Sequence, residues 1–266
     1  MNRRGVTQCL VLILFALAAT ANARPTEAQT LAAVLAGQTQ APGSQAPGSQ
    51  APGSQVPSPQ PPVGDALFGT LEFTSTSLQA LPQWRRILEG MAEETAAMVG
   101  CTADSANCTS PALRSWRELQ LRAHGQGRMD KLHAVNQFFN RWPYKSDSEA
   151  FGRREFWAAP IMFMSRSGDC EDYAIAKYFA LRQLGFDKEE LRIVVLYDRI
   201  RNVGHSVLAV YDGKDILILD SLSNFITTHT RYRHYIPQYS MNETTRWAHV
   251  DQSRAIPQTA LRAADN

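Results

Sequence analysis

The chain has 266 residues, of which 44% are hydrophobic and 20% charged, with a formal net charge of +2. Length and apolar content are sufficient for one folded domain of ordinary size. The near-balance of charge excludes the basic stripe of a nucleic-acid binder.

The first residues have the form of an export signal. Arg3 and Arg4 precede a nearly continuous apolar run, Cys9 to Ala19, and Ala21-Asn22-Ala23 is a small-x-small cleavage site. Residues 1–23 are therefore expected to be removed as a signal peptide; the run, about a dozen residues long, is too short to span a bilayer. Cleavage takes away two of the 27 basic residues and none of the 25 acidic ones, leaving the mature chain balanced. No later segment is long and apolar enough to cross a membrane, and the export signal makes a secreted or periplasmic protein the expectation.

Residues 24–64 change to Ala, Gln, Pro, Gly and Ser, with Ala-Pro-Gly-Ser-Gln beginning at 41, 46 and 51 and a decayed copy, Val-Pro-Ser-Pro-Gln, at 56. Such a segment buries too little apolar surface to offset its ordering entropy. It reads as a flexible spacer, with a Pro-rich ligand as the other reading.

Residues 65–266 are expected to form one domain. Leu81 to Val99, Ala112 to Ala123 and Arg128 to Trp142 have helical patterning, and Pro143 closes the third. Cys101 and Cys108 are separated by a short polar stretch and suit a disulfide in an oxidising compartment. Cys170 is then the odd one of the three cysteines that survive processing, either buried and inert or kept for chemistry.

Cys170 lies in the run Ser167-Gly168-Asp169-Cys170-Glu171-Asp172-Tyr173-Ala174. Apolar positions at Ile175, Tyr178, Phe179 and Leu184, with Gly185 as a stop, make the following segment a helix whose N-cap is Ser167 or Asp169. A thiol in the first turn lies near unpaired backbone N–H groups and the positive end of the helix dipole, which favour thiolate. The adjacent carboxylates oppose this, so a base is needed from elsewhere. β-branched runs follow at Leu191 to Tyr197, His205 to Tyr211 and Asp215 to Asp220. Helices followed by a strand meander predict an α+β fold in which an antiparallel sheet packs against the cysteine helix.

Asp212-Gly213 between two apolar runs is a hairpin signal. With those two residues as the turn, His205 falls opposite Asp220; a longer turn including Lys214 and Asp215 places His205 opposite Leu222 and Asp220 on the diagonal. Either register keeps carboxylate and imidazole close. Cys170 as nucleophile, His205 as base and Asp220 as the group that fixes the histidine tautomer are the residue types that thiol acylation requires.

Phe156-Trp157-Ala158-Ala159-Pro160, the run Gly168 to Ala174, Gly204-His205-Ser206-Val207-Leu208 and Leu219-Asp220 together resemble the bacterial transglutaminase-like cysteine proteinases, LapG-like periplasmic proteases among them. The resemblance implies a papain-like or transglutaminase-like fold, Cys170, His205 and Asp220 as the triad, and peptide-bond hydrolysis. It further implies dependence on Ca2+, cleavage of the N-terminal region of a large surface adhesin at a paired-alanine site with release of biofilm cells, and sequestration by a LapD-like inner-membrane cyclic di-GMP receptor. Asp169 and Glu171 are the calcium ligands by that motif, and Asp172 is a third hard oxygen donor beside them. The competing expectations are a protein-glutamine transglutaminase using the same triad and a non-catalytic binding module on a tether.

Overall fold

The computed structural model describes residues 66–251. The expected signal peptide and spacer lie outside the described residues, as do residues 252–266.

A single turn of 3-10 helix, Leu67–Gly69, leads into β1 (Thr70–Ser75). Three substantial helices follow: α1 (Pro82–Ala103), α2 (Pro111–Ala123) and α3 (Arg128–Phe139). Pro82 and Pro111 start the first two, at positions where a missing N–H costs nothing. Ser110 caps α2 by accepting from Leu113 N at 3.1 Å. The third ends three residues earlier than the pattern predicts, and Trp142 instead lies in the turn before Pro143. Cys101 and Cys108 form the expected disulfide, which ties the end of α1 to the connection before α2.

Two short helices, α4 (Asp147–Phe151) and α5 (Pro160–Arg166), precede the long helix α6 (Cys170–Gln183). Every residue of α6 from Cys170 to Leu181 is buried. This is why the helix has little amphipathic character in its sequence: it packs against β2, β3, α3 and α5. Trp84 of α1 closes over it, stacking on Phe179 and meeting Tyr178 edge-on.

The strands β2 (Leu191–Asp198), β3 (Val203–Asp212), β4 (Asp215–Asp220), β5 (Ser223–Thr228), β6 (Tyr235–Met241) and β7 (Arg246–Asp251) complete an antiparallel sheet. Its order is β1-β7-β6-β2-β3-β4-β5. The α+β class is as expected, with helices on a seven-stranded antiparallel sheet among the described residues.

The β3–β4 hairpin departs from its first expected register. Asp212 pairs with Asp215, so Gly213 and Lys214 make the turn, with Gly213 at φ +64°. This two-residue turn gives the register in which His205 and Asp220 are diagonal neighbours, the one expected of a longer turn. A cluster of Leu67, Val194, Leu196, Val207, Ile218 and Tyr235 packs beside them.

Candidate active site

Tertiary contacts fix the start of α6. Lys145 N donates to Gly168 O at 2.9 Å, and Tyr173 OH donates to Trp142 O at 2.6 Å. Asp169 is the N-cap, settling the choice left open with Ser167, and it forms a reciprocal capping box with Asp172. Ser167 instead takes φ +69°, a conformation that costs a non-glycine residue roughly 1–3 kcal/mol and persists where the surroundings impose it. Gly168 is obligatory for a different reason: a Cβ there would lie 1.9 Å from Asp172 Oδ2.

Cys170 is fully buried at the first helical position, and its Sγ lies 3.3 Å from Glu171 Oε2. His205 and Asp220 meet in the buried interior near the strand ends of β3 and β4, Nε2 to Oδ1 at 2.9 Å. Asp220 Oδ1 also accepts from Leu222 N at 2.9 Å, and Oδ2 accepts from Tyr235 OH at 2.6 Å. Burial alone would push the Asp220 carboxyl up, but His205, Tyr235 and the Leu222 N–H outweigh it and hold the group well below the usual carboxylate range. Asn140, the C-cap of α3, donates to the Asp220 carbonyl at 2.9 Å. With Nε2 committed to a carboxylate, Nδ1 is the ring nitrogen left for proton transfer.

The acids flanking Cys170 belong to a larger cluster. Asp147, Glu155, Asp169, Glu171 and Asp172 contribute to overlapping groups whose oxygens lie within 4.8 Å of one another. Asp147 and Glu155 escape sequence reasoning because they come from α4 and the connection after it, more than ten positions before Asp169, with no motif of their own. The segment after α4 wraps the cluster with backbone donors: Phe156 N to Asp147 Oδ2 at 2.5 Å, and Ala158 N to Asp172 Oδ1 at 2.6 Å. Asp172 also accepts from Asp169 N through Oδ2, at 3.2 Å, so both its oxygens already hold backbone. Trp157, to which the sequence assigns no role, is buried and donates its indole N–H to Glu155.

So many buried acids suppress one another's ionisation. Burial pushes Asp147 up to about 6. Burial, reinforced by Asp147 and Glu155, pushes Asp169 up to about 7, against a hydrogen bond with Glu171. Glu171 and Asp172 are driven well above the carboxylate range by burial and then by Asp169. Asp147 Oδ1 and Asp169 Oδ1 are buried without a hydrogen-bond partner among the described residues. Two buried oxygens without a hydrogen-bond partner, inside a cluster of acids that a positive charge would ionise, fit a hard cation. Asp147, Asp169 and Glu171, with Glu155 and Asp172 at the margin, are the residues that could hold it.

The profile of the bacterial transglutaminase-like cysteine proteinase family (BTLCP) matches residues 92–255. Among solved structures, Legionella pneumophila LapG is similar at 28% identity and TM-score 0.51, covering 59% of this chain and 91% of that one. The EGTA-treated form of the same Legionella protein gives 27% identity and TM-score 0.50, again over 59% and 91%. Its calcium-bound form gives 32% identity and TM-score 0.48 over 52% and 77%. No curated protein matches.

Proposed function

We infer the function from a premise that the family match supplies: the chain belongs to the bacterial transglutaminase-like cysteine proteinases and is a cysteine peptidase. It is a calcium-dependent periplasmic endopeptidase that cuts the N-terminal region of a large surface adhesin at a paired-alanine site, releasing biofilm cells, and a LapD-like inner-membrane cyclic di-GMP receptor holds it in check. The single observation that carries the chemistry is the buried His205–Asp220 pair at 2.9 Å, within the matched region that also contains Cys170.

In this reading His205 Nδ1 takes the Cys170 proton and the thiolate attacks the scissile carbonyl carbon. The backbone N–H of Cys170, at a helix start where it has no intrahelical acceptor, is a donor for the oxyanion. The protonated imidazole then gives its proton to the leaving amine. Water, deprotonated by the same nitrogen, hydrolyses the thioester and restores the thiol. Asp220 keeps Nε2–H directed at itself throughout, so that Nδ1 stays the working nitrogen. Ca2+ bound by Asp169, Glu171 and their acidic neighbours would supply positive charge that offsets the carboxylates flanking the thiol. The EGTA-treated form of the similar Legionella protein, EGTA being a calcium chelator, supports calcium as the cation.

The test is incubation of the full chain with the N-terminal fragment of an adhesin encoded beside it, followed by mass spectrometry. A defined cut is expected with calcium, and none with EGTA or in Cys170→Ala, Asp169→Asn or Glu171→Gln. Lysine–glutamine cross-links in place of a cut would favour a transglutaminase, and a cut by Cys170→Ala would contradict the peptidase assignment of the cysteine.

A further inference from the structure

We propose that Tyr235 is a fourth member of the site, a positioning residue that acts on His205 through Asp220. The inference rests on the Cys170, His205 and Asp220 reading above and extends it to a residue on a different strand.

The two oxygens of Asp220 are held differently. Oδ1 takes both the His205 Nε2 and the Leu222 N–H, each at 2.9 Å, whereas Oδ2 takes the Tyr235 hydroxyl at 2.6 Å. Asp220 is 1% exposed, so solvent does not replace a lost partner. A carboxylate fixed at one oxygen alone can rotate about its terminal torsion, which is broad and roughly two-fold. A bond at each oxygen removes that freedom and holds the oxygen facing His205 in one place. Tyr235 therefore fixes the plane in which the histidine N–H must point.

The phenol is itself immobilised. Its ring stacks on Tyr232 at 5.0 Å and 13°, meets His234 at 4.4 Å and takes Phe68 edge-on at 6.1 Å. Tyr235 N donates to Tyr232 O at 3.0 Å, closing the turn that presents both rings. The same ring lies 5.8 Å from the His205 imidazole, so it also limits rotation of the base. Phenylalanine would fill this space equally well, and only the hydroxyl distinguishes tyrosine here. Burial and the nearby Asp220 raise the Tyr235 pKa, so it remains a donor over any working pH. The other ionisable neighbours are Lys177 of α6, whose charge is felt at Asp220, Tyr232, and Asp198, which pairs with Tyr235 across β2 and β6.

The test compares wild type with Tyr235→Phe in the calcium-loaded full chain, using the adhesin fragment as substrate. Loss of a hydrogen bond to a charged group predicts a kcat lower by about ten- to a hundredfold with KM within about twofold. In an Asp220→Asn background the same substitution should change kcat by less than about twofold, since residues acting as a unit are not additive. Wild-type kcat in Tyr235→Phe would overturn the proposal while Cys170→Ala and His205→Ala remain inactive. Full additivity in the double variant would overturn it too, marking the hydroxyl as merely structural. Cleavage by Cys170→Ala would remove the reading on which it rests and the proposal with it.

Discussion

Asp169 and Lys177 sit on and just before the same helix, both buried, and pH acts on them in opposite senses. The Asp169 carboxyl is raised from an ordinary 3.8 to about 7, so the cation-free fold holds a proton that the unfolded chain has released. Its contribution to stability is present below about pH 4 and is lost as pH rises through about 7. Asp147, raised to about 6, adds to this in the same direction. The EGTA-treated protein should therefore melt at a higher temperature at pH 5.5 than at pH 8, and calcium should restore stability chiefly at pH 8; calorimetry in the two buffers measures both. Lys177 is lowered from 10.5 to about 7 by burial, with Asp220 opposing the shift. A buried amine of this kind penalises the fold increasingly as pH falls from about 10 to about 7. Its Nζ has no hydrogen-bond partner among the described residues. Lys177→Met is expected to raise the melting temperature at pH 7 and to flatten its rise between pH 7 and 9. A lower melting temperature would mean that the attraction to Asp220 outweighs the burial cost.

At the scale of elements, the start of α6 is where sequence and structure agree most closely. Asp169, Cys170 and the helix that follows are legible because capping residues, apolar spacing and the Gly185 stop are local signals. Gly168 is the exception, since its requirement comes from the folding back of the Asp172 side chain and not from a turn. Gly168→Ala is expected to push Asp172 from its bonds to Asp169 N and Ala158 N, costing about 1–3 kcal/mol as overpacking does. A thermal melt and the kcat/KM on the adhesin fragment would both fall; an unchanged melt would show that the helix start relaxes at little cost. The β3–β4 hairpin was legible in kind but open in register, because Asp212-Gly213 and Gly213-Lys214 are both acceptable two-residue turns. The observed choice keeps the carboxylate on the diagonal, still within hydrogen-bond reach of the imidazole.

At the scale of the whole molecule, what the sequence conceals is what non-local pairing assembles. β6 carries Pro237, which cannot donate to a ladder and so hides the strand. The structure accommodates it with a register shift opposite Val195 and Leu196. Yet β6 also carries Tyr235, whose hydroxyl completes the shell around Asp220, and no local pattern announces that contact. The acid cluster is similar: Asp169, Glu171 and Asp172 are visible as neighbours of the cysteine, but Asp147 and Glu155 join them only once α4 and its following segment fold over α6. The hairpin signal, the odd cysteine and the family likeness together suggest the roles of Cys170, His205 and Asp220, whereas the fold supplies the partners that hold the last two.

The central claim is that this domain cuts a protein chain with Cys170, and only when a cation neutralises the acids around that thiol. Mass spectrometry of the adhesin N-terminal fragment after treatment with the full chain, with calcium and with EGTA, tests it most directly. One new pair of termini at a paired-alanine site, formed with calcium and absent with EGTA or Cys170→Ala, is the predicted result. The same cut at the same rate in EGTA, or by Cys170→Ala, would contradict it.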